Sequence, residues 1–249
     1  RVGEEVGYRV RFDRRESART RILVVTDGML LAMLQHDPFL EGVAAVVVDE
    51  LHERSLEGDL ALAMARRVQR EVRPGLRLVA MSATLDAAPV AAFLAPCRVI
   101  DAPAALHPVT VAYLDRPLSG DPAAAVVAAT RRALAAAPGD VLAFLPGAAD
   151  ILRAVNALRS AEPGLEVLPL FGALSPTEQD TALRPGTARR VVVATNIAET
   201  SLTIPGVRSV VDSGLARVLR YDRGCELNRL ETVHIGRVSA EQRAGRAGR

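Results

Sequence analysis

Two α/β domains with mainly parallel sheets are what this 249-residue sequence predicts, and three observations predict them. Short aliphatic runs alternate with longer stretches of helical periodicity, the pattern of parallel βαβ units. The segment Asp101-Ala-Pro-Ala-Ala-Leu-His-Pro108 breaks that alternation with two prolines and reads as a linker. The chain is 49% apolar but only 3% aromatic, with no Trp, so aliphatic packing must build the core. The length accommodates one large domain or two of ordinary size.

Taken in order, an aliphatic strand over Arg21–Val25 leads into a helix over Gly28–Gln35. Strand Ala44–Val48 precedes helix Ser55–Arg70, and strand Arg77–Ala80 precedes helix Ala87–Leu94, for which Asp86 is a start signal. Past the linker, strand Val109–Leu114 is followed by an Ala-rich helix, Pro122–Ala137. Strand Val141–Leu145 then pairs with helix Ala148–Ser160, and strand Val167–Leu170 with helix Pro176–Leu183. That last helix has Ser175 as its cap and Pro176 at its first position, where the missing N–H costs nothing. Strands Arg190–Ala194 and Ser209–Val211 complete the alternation. The stretch Arg220–Leu230 changes character and reads as a hairpin turning near Asp222–Gly224.

The formal charge of +2 does not by itself mark a nucleic-acid binder. All 31 basic residues, however, are Arg. Arg presents a planar fork suited to phosphate oxygens, although a GC-rich genome explains the bias equally well. With no Lys, these residues contain no GxxxxGK[ST] phosphate loop. Cys97 and Cys225 stand apart, and His36, His52, His107 and His234 lack metal-ligand spacing, so no structural metal and no disulfide are expected. A reducing cytoplasm is the expected compartment, and no apolar run has the length of a membrane span.

The sharpest local feature is Val46-Val-Val-Asp-Glu-Leu-His-Glu-Arg-Ser55. A buried strand ending in Asp49-Glu50 delivers two carboxylates to the carboxyl edge of a parallel sheet, where α/β folds bind ligands. Phosphoryl transfer needs one acid for Mg²⁺ and another group to orient the attacking water. On their own, two acids opening a loop are as good a reading. Met81-Ser-Ala-Thr84 follows the next strand at the same edge, where its hydroxyls can bond across. In the second half, Gln242-Arg-Ala-Gly-Arg-Ala-Gly-Arg249 spaces Arg243, Arg246 and Arg249 three apart. On a helix they line one side, with Gly245 and Gly248 allowing close approach of another surface. The readings are arginine fingers on a transferring phosphate, an RNA-contacting stripe or a solvated one. Ala194-Thr-Asn-Ile-Ala-Glu-Thr-Ser-Leu-Thr-Ile204, Thr26-Asp-Gly28 and Phe171-Gly172 each follow a strand and offer groups suited to phosphate contacts.

Six stretches in this order resemble the motifs of the DEAH/RHA helicases of superfamily 2. They are Thr-Asp-Gly-Met-Leu-Leu31, Asp-Glu-Leu-His-Glu-Arg-Ser55, Ser-Ala-Thr84, Phe-Leu-Pro-Gly147, the Thr195–Ile204 run and Gln242–Arg249. Val211-Asp-Ser-Gly-Leu-Ala-Arg217 and Arg229-Leu-Glu-Thr-Val233 resemble the bacterial HrpB branch. The resemblance implies an ATP-dependent RNA helicase of two tandem RecA-like domains. The first (1–103) is cut short at its N-terminus, without the phosphate loop, and the second (104–249) stops after motif VI. ATP or another NTP, Mg²⁺ and single-stranded or structured RNA are the implied partners, with no membrane. Asp49 would hold Mg²⁺ through water, with Glu50 beside it activating the hydrolytic water. His52 would couple that site to Gln242, and Arg246 and Arg249 would be the fingers. Ser82 and Thr84 would link hydrolysis to domain movement and, with Thr203, face the nucleotide. Thr26, Gly28, Gly172, Thr195 and Thr200 would touch the RNA backbone, and the Arg220–Leu230 hairpin would separate strands. Leu51 replaces the family's usual Ala, and Pro205 stands where many members carry an acid near the ribose. Without a phosphate loop the 249 residues alone are expected to be inactive. A non-catalytic nucleic-acid scaffold and a DNA translocase are the alternatives.

Overall fold

The computed structural model describes residues 1–82, 87–102, 107–114, 120–186, 188–199 and 202–248. The chain divides into two compact units, Arg1–Ala102 and Pro103–Arg249. Among the described residues, no helix is long and apolar enough to cross a membrane.

In the first unit, β1 (Val6–Val10) pairs antiparallel with β2 (Asp13–Arg15) and parallel with β3 (Ile22–Val25). Helix α1 (Asp27–His36) follows, then β4 (Ala45–Val48), a 3-10 turn at Leu51–Glu53, and α2 (Leu56–Glu71). Strand β5 (Arg77–Ala80) runs parallel to β4, with Val46 opposite Leu78 and Val48 opposite Ala80, and α3 (Ala87–Leu94) ends the unit. Strand alternation puts Val46 and Val48 into a core with Leu34, Leu40, Leu51, Leu62 and Leu76, while Val47 faces outward. Helix α2 buries Gly58, Ala61, Leu62 and Ala65, the spacing of a single helical face.

The second unit holds α4 (Pro122–Ala136), β6 (Asp140–Phe144), α5 (Ala148–Ala161), β7 (Glu166–Leu170), α6 (Pro176–Leu183), β8 (Arg190–Ala194) and β9 (Val207–Asp212). The four strands form one parallel sheet in the order β7-β8-β6-β9. Both faces are covered. Val141, Ala143, Val191 and Val193 pack with Val126, Ile151, Val155 and Leu158 of α4 and α5. Leu142, Phe144, Val192 and Ala194 pack on the other side with Ala182 of α6 and with Ile204. A strand buried on both faces must be apolar throughout, which is why β6 and β8 read as unbroken aliphatic runs. The end of α4 is capped from a distance: the Arg189 guanidinium donates to the carbonyls of Leu134, Ala137 and Gly139. Antiparallel strands β10 (Leu215–Asp222) and β11 (Leu227–His234) make a long hairpin, and α7 (Arg237–Gly245) runs into a 3-10 turn at Arg246–Gly248.

The sheets are thus mainly parallel; only β1–β2 and β10–β11 pair antiparallel among the described strands. The expected strand Val109–Leu114 is irregular instead. Its β-branched residues find no ladder, because the His107 N–H is donated to the Gly248 carbonyl (3.0 Å). A Cβ on Gly248 would lie 2.8 Å from the His107 carbonyl oxygen, so the close approach expected there is made to this segment, whereas Gly245 faces open space. The turn of the hairpin falls at residues 223–226, and its strands extend beyond the expected span. Asp86, the expected helix start, lies outside the described residues.

Candidate functional site

Where β4 ends, the chain makes a tight excursion that brings the two acids to the sheet edge. Glu50 adopts the left-handed conformation (φ 51, ψ 35) and caps the 3-10 turn, and Arg54 at its far end is left-handed too (φ 53, ψ 42). The loop is laced to the neighbouring strand end: Met81 N–H donates to Val48 O (2.8 Å) and Leu51 N–H to Met81 O (3.0 Å). Leu51, larger than the usual Ala, is absorbed by the core beneath. Asp49 is exposed, and its Oδ1 accepts the Glu50 N–H at 2.8 Å. Glu50 is half-buried beside His52, whose Nε2 lies 3.3 Å from Glu50 Oε2. That distance carries an electrostatic contact without hydrogen-bond alignment, and neither nitrogen of the buried ring has a hydrogen-bond partner among the described residues. Buried ring nitrogens without hydrogen bonds are costly, so this ring is set to accept or donate one when a partner arrives. Ser82 is half-buried two residues past β5; Thr84 lies outside the described residues.

Thr26 and Gly28 are exposed at the carboxyl end of β3, where Thr26 caps α1 with its carbonyl receiving the N–H groups of Met29 and Leu30. The Thr26 hydroxyl accepts none of the first N–H groups of α1. The free first-turn N–H groups of a helix favour an anion.

In the second unit, the loops after β7 and β8 meet at one sheet edge, with Thr195 N–H donating to Leu170 O (3.1 Å). Gly172 is exposed, and Thr195 caps the 3-10 turn Asn196–Ala198. Thr203 is exposed and lines a cleft of about 90 Å³ with Pro205, Gly206 and Arg246. Pro205 offers no acid; its carbonyl accepts from Arg190 Nη2 (3.0 Å), and Arg190 is itself buried against Asp140 (2.7 Å).

Arg243 and Arg246, the motif arginines among the described residues, are buried and form no exposed stripe. Arg243 is 1% exposed and pairs with Glu199 (2.7 Å) and Asp212 (2.9 Å), its guanidinium carbon 4.7 Å from the Phe144 ring centre. This overturns the solvated and RNA-contacting readings for Arg243, because two carboxylates and a ring enclose it. Arg246 is 7% exposed; its Nη1 donates to Leu202 O (2.8 Å) and its Nε to Glu199 O (3.0 Å). Gln242 is half-buried on α7, and Thr200 and Arg249 lie outside the described residues.

Sequence reading missed Glu199 and Asp212, which hold Arg243, and a link in the first unit. Ser55 Oγ–H donates to Asp27 Oδ2 at 2.7 Å, joining the starts of α1 and α2. Ser55 three residues before Gly58 signals a helix cap, but nothing in the sequence points to a partner 28 residues away.

Residues 3–93 match the DEAD/DEAH box helicase family and residues 125–249 the helicase conserved C-terminal domain. The chain is 45% identical to the Escherichia coli ATP-dependent RNA helicase HrpB, over 99% of the chain and 31% of that protein. It is 38% identical to the mouse probable ATP-dependent RNA helicase DHX34, over 99% of the chain and 23% of that protein. The crystal structure of the E. coli DEAH/RHA helicase HrpB superposes with a TM-score of 0.90 at 44% identity, covering 99% of the chain and 32% of the other. The chain therefore spans a third or less of the length of these relatives.

Proposed function

The chain belongs to the DEAD/DEAH box helicase family, and from that premise we propose that it is the motor portion of an ATP-dependent RNA helicase, 1–103 and 104–249 serving as its two RecA-like domains. The observation that carries this reading is the turn after β4: Glu50 held left-handed, with the buried His52 ring 3.3 Å from its carboxylate and neither ring nitrogen hydrogen-bonded among the described residues. A carboxylate so placed can orient and deprotonate a water while the imidazole steadies it.

In this reading the exposed Asp49 carboxylate, whose Oδ1 accepts the Glu50 amide, would hold a hydrated Mg²⁺. The donor set fits that ion: Mg²⁺ keeps most of its waters and takes one or two carboxylates plus phosphate oxygens. Among the described residues no cluster of three His, Cys, Asp or Glu forms a closed metal cage. When bound, MgATP supplies the phosphoryl group and the charge that activates it. Glu50 takes the proton of the attacking water, and Gln242 offers its amide to His52. Arg246 reaches a phosphate only by releasing the Glu199 and Leu202 carbonyls; Arg249 serves beside it. Ser82 and Thr84 relay the reaction, and Thr203 borders the nucleotide. Thr26 and Gly28 in one unit, and Gly172, Thr195 and Thr200 in the other, grip RNA phosphates, and the β10–β11 hairpin parts the strands. No phosphate-loop lysine lies among the 249 residues, so these residues alone are expected to turn over ATP only at background.

The test is steady-state ATP hydrolysis by the full-length protein, with and without single-stranded RNA, beside Glu50→Gln. The expected result is RNA-stimulated turnover lowered by about 10²-fold or more in the variant, the usual scale for general-base removal. Unchanged turnover in Glu50→Gln refutes the role of Glu50. Tight RNA binding by a wild-type protein that hydrolyses nothing favours a scaffold, and equal stimulation by deoxyribose strands favours a DNA translocase.

A further inference from the structure

One side-chain bond in the first unit joins the two ends of the proposed chemistry and has no part in it so far. Asp27, the first residue of α1, lies between Thr26 and Gly28, on the side assigned to RNA. Its Oδ2 accepts the Ser55 hydroxyl at 2.7 Å, while the same Ser55 oxygen accepts the Gly58 N–H at 3.0 Å and so caps α2. Gly58 is buried, and a Cβ there would lie 2.7 Å from Ser55 Oγ and 3.0 Å from Asp27 Oδ2. The helix accepts a poor helix former at that point because the two helix starts approach too closely for anything larger.

Ser55 in turn is the exit of the turn that carries the catalytic group. Only four residues lie between it and Glu50, and the stretch is constrained: two left-handed residues, Glu50 and Arg54, bracket a 3-10 turn. Arg54 is further tied to Asp59 of α2 at 2.8 Å. A stretch this short and this fixed has little slack, so a shift of α1 pulls Ser55 and reorients Glu50.

We propose that Asp27, Ser55 and Gly58 form a latch that conveys RNA occupancy at the start of α1 to the Glu50 turn, making ATP hydrolysis RNA-dependent. The proposal rests on reading the chain as an RNA-stimulated ATPase. Asp27 and Ser55 are positioning residues; they touch neither reactant. Coupling between two binding sites is reciprocal, so a latch that joins them also sets how far nucleotide changes RNA affinity, beside the stimulation of hydrolysis by RNA.

The experiment uses the full-length protein with poly(U) single strands and three substitutions. Ser55→Asp keeps a helix cap but sets a second carboxylate against Asp27 in place of the donor. Asp27→Ala removes the acceptor. Ser55→Thr keeps both cap and donor. Ser55→Asp and Asp27→Ala are expected to lower the ratio of RNA-stimulated to unstimulated turnover by about fivefold or more, with unstimulated turnover within about twofold of wild type. The ratio of poly(U) dissociation constants with and without a non-hydrolysable ATP analogue should move toward one, and Ser55→Thr should keep both near wild type. The latch is overturned by an unchanged stimulation ratio in Ser55→Asp, by parallel loss of stimulated and unstimulated turnover, or by Ser55→Thr behaving like Ser55→Asp. An unsubstituted protein whose turnover ignores RNA removes the functional reading itself, and that outcome is seen before any substitution is made.

Discussion

Replacing Arg243 with Met tests whether the inward-facing arginine is what holds the second unit's loops together. The guanidinium is 1% exposed and bonded to Glu199 and Asp212, whose side chains are 11% and 22% exposed. It also donates to Leu215 O at 3.2 Å and lies over Phe144. Met preserves much of the aliphatic stem, so the loss is chiefly electrostatic. Removing one partner of a buried ion pair costs about 3–5 kcal/mol, because the remaining charge is stranded. Some water reaches both carboxylates, which favours the lower end, and the lost ring contact adds about 0.5–1 kcal/mol. About 3–4 kcal/mol is expected, equivalent to a midpoint roughly 6–16 °C lower at the usual 2–4 °C per kcal/mol for domains of this size. The assay is urea unfolding followed by circular dichroism, with hydrogen exchange of β6, β8 and α7 peptides identifying the transition of the second unit, since two units need not unfold together. Adding Glu199→Gln to the Met variant removes one stranded charge and should recover part of the loss, a non-additivity of about 0.5–3 kcal/mol. A loss below about 1 kcal/mol for Arg243→Met would show that the carboxylates are adequately solvated without it and refute the reasoning.

Two further outcomes are expected. Shortening the hairpin by excising residues 219–230 should abolish strand separation in a duplex-unwinding assay while leaving RNA-stimulated ATP hydrolysis within about threefold, since the hairpin is its own antiparallel sheet; ATPase loss in step with unwinding would deny it a separating role. Two helix starts should titrate at low pH. The Arg153 side chain, with the Ala123 amide, holds the Asp121 carboxyl below its ordinary value, and the Ser175 hydroxyl and amide do the same for Glu178. Each therefore stabilises its helix above the ordinary carboxylate value and loses that contribution as pH falls through its depressed folded value. Carboxyl-carbon NMR titrations giving ordinary midpoints at both positions would contradict the caps.

Much of the fold was legible because the relevant strands obey one rule each. Strands β6 and β8 are buried on both faces, and a wholly aliphatic run says so without help from distant residues. Ser175 was readable as a cap for the same reason, since the groups it serves lie within the same turn, and the structure completes the box with Glu178. Val109–Leu114 misled because β-branched residues express a preference only when a neighbouring strand is available, and here the segment is engaged by Gly248. Strands β1 and β2 escaped notice because Arg9, Arg11, Asp13, Arg14 and Arg15 interrupt the apolar alternation. At the site, Asp49, Glu50 and His52 were legible as a local string, and the structure adds the left-handed turn that assembles them. What was not legible is everything made by distant partners: the Asp27–Ser55 bond, and the enclosure of Arg243 by Glu199, Asp212 and Phe144. Three-residue spacing put Arg243 and Arg246 on a shared side of the chain, but gave no hint that this side faces inward.

The left-handed backbone at Glu50 sets folding and chemistry against each other. A residue with a side chain held there carries strain of about 1 kcal/mol or more, which glycine would relieve without disturbing the bonds from Leu51 to Met81 and from Met81 to Val48. A population of variants sorted only for yield, solubility or heat resistance would therefore drift toward glycine or asparagine at this position, and would grow more robust as it lost the carboxylate. Any effort to harden this protein by such sorting would have to hold residue 50 fixed from the outset.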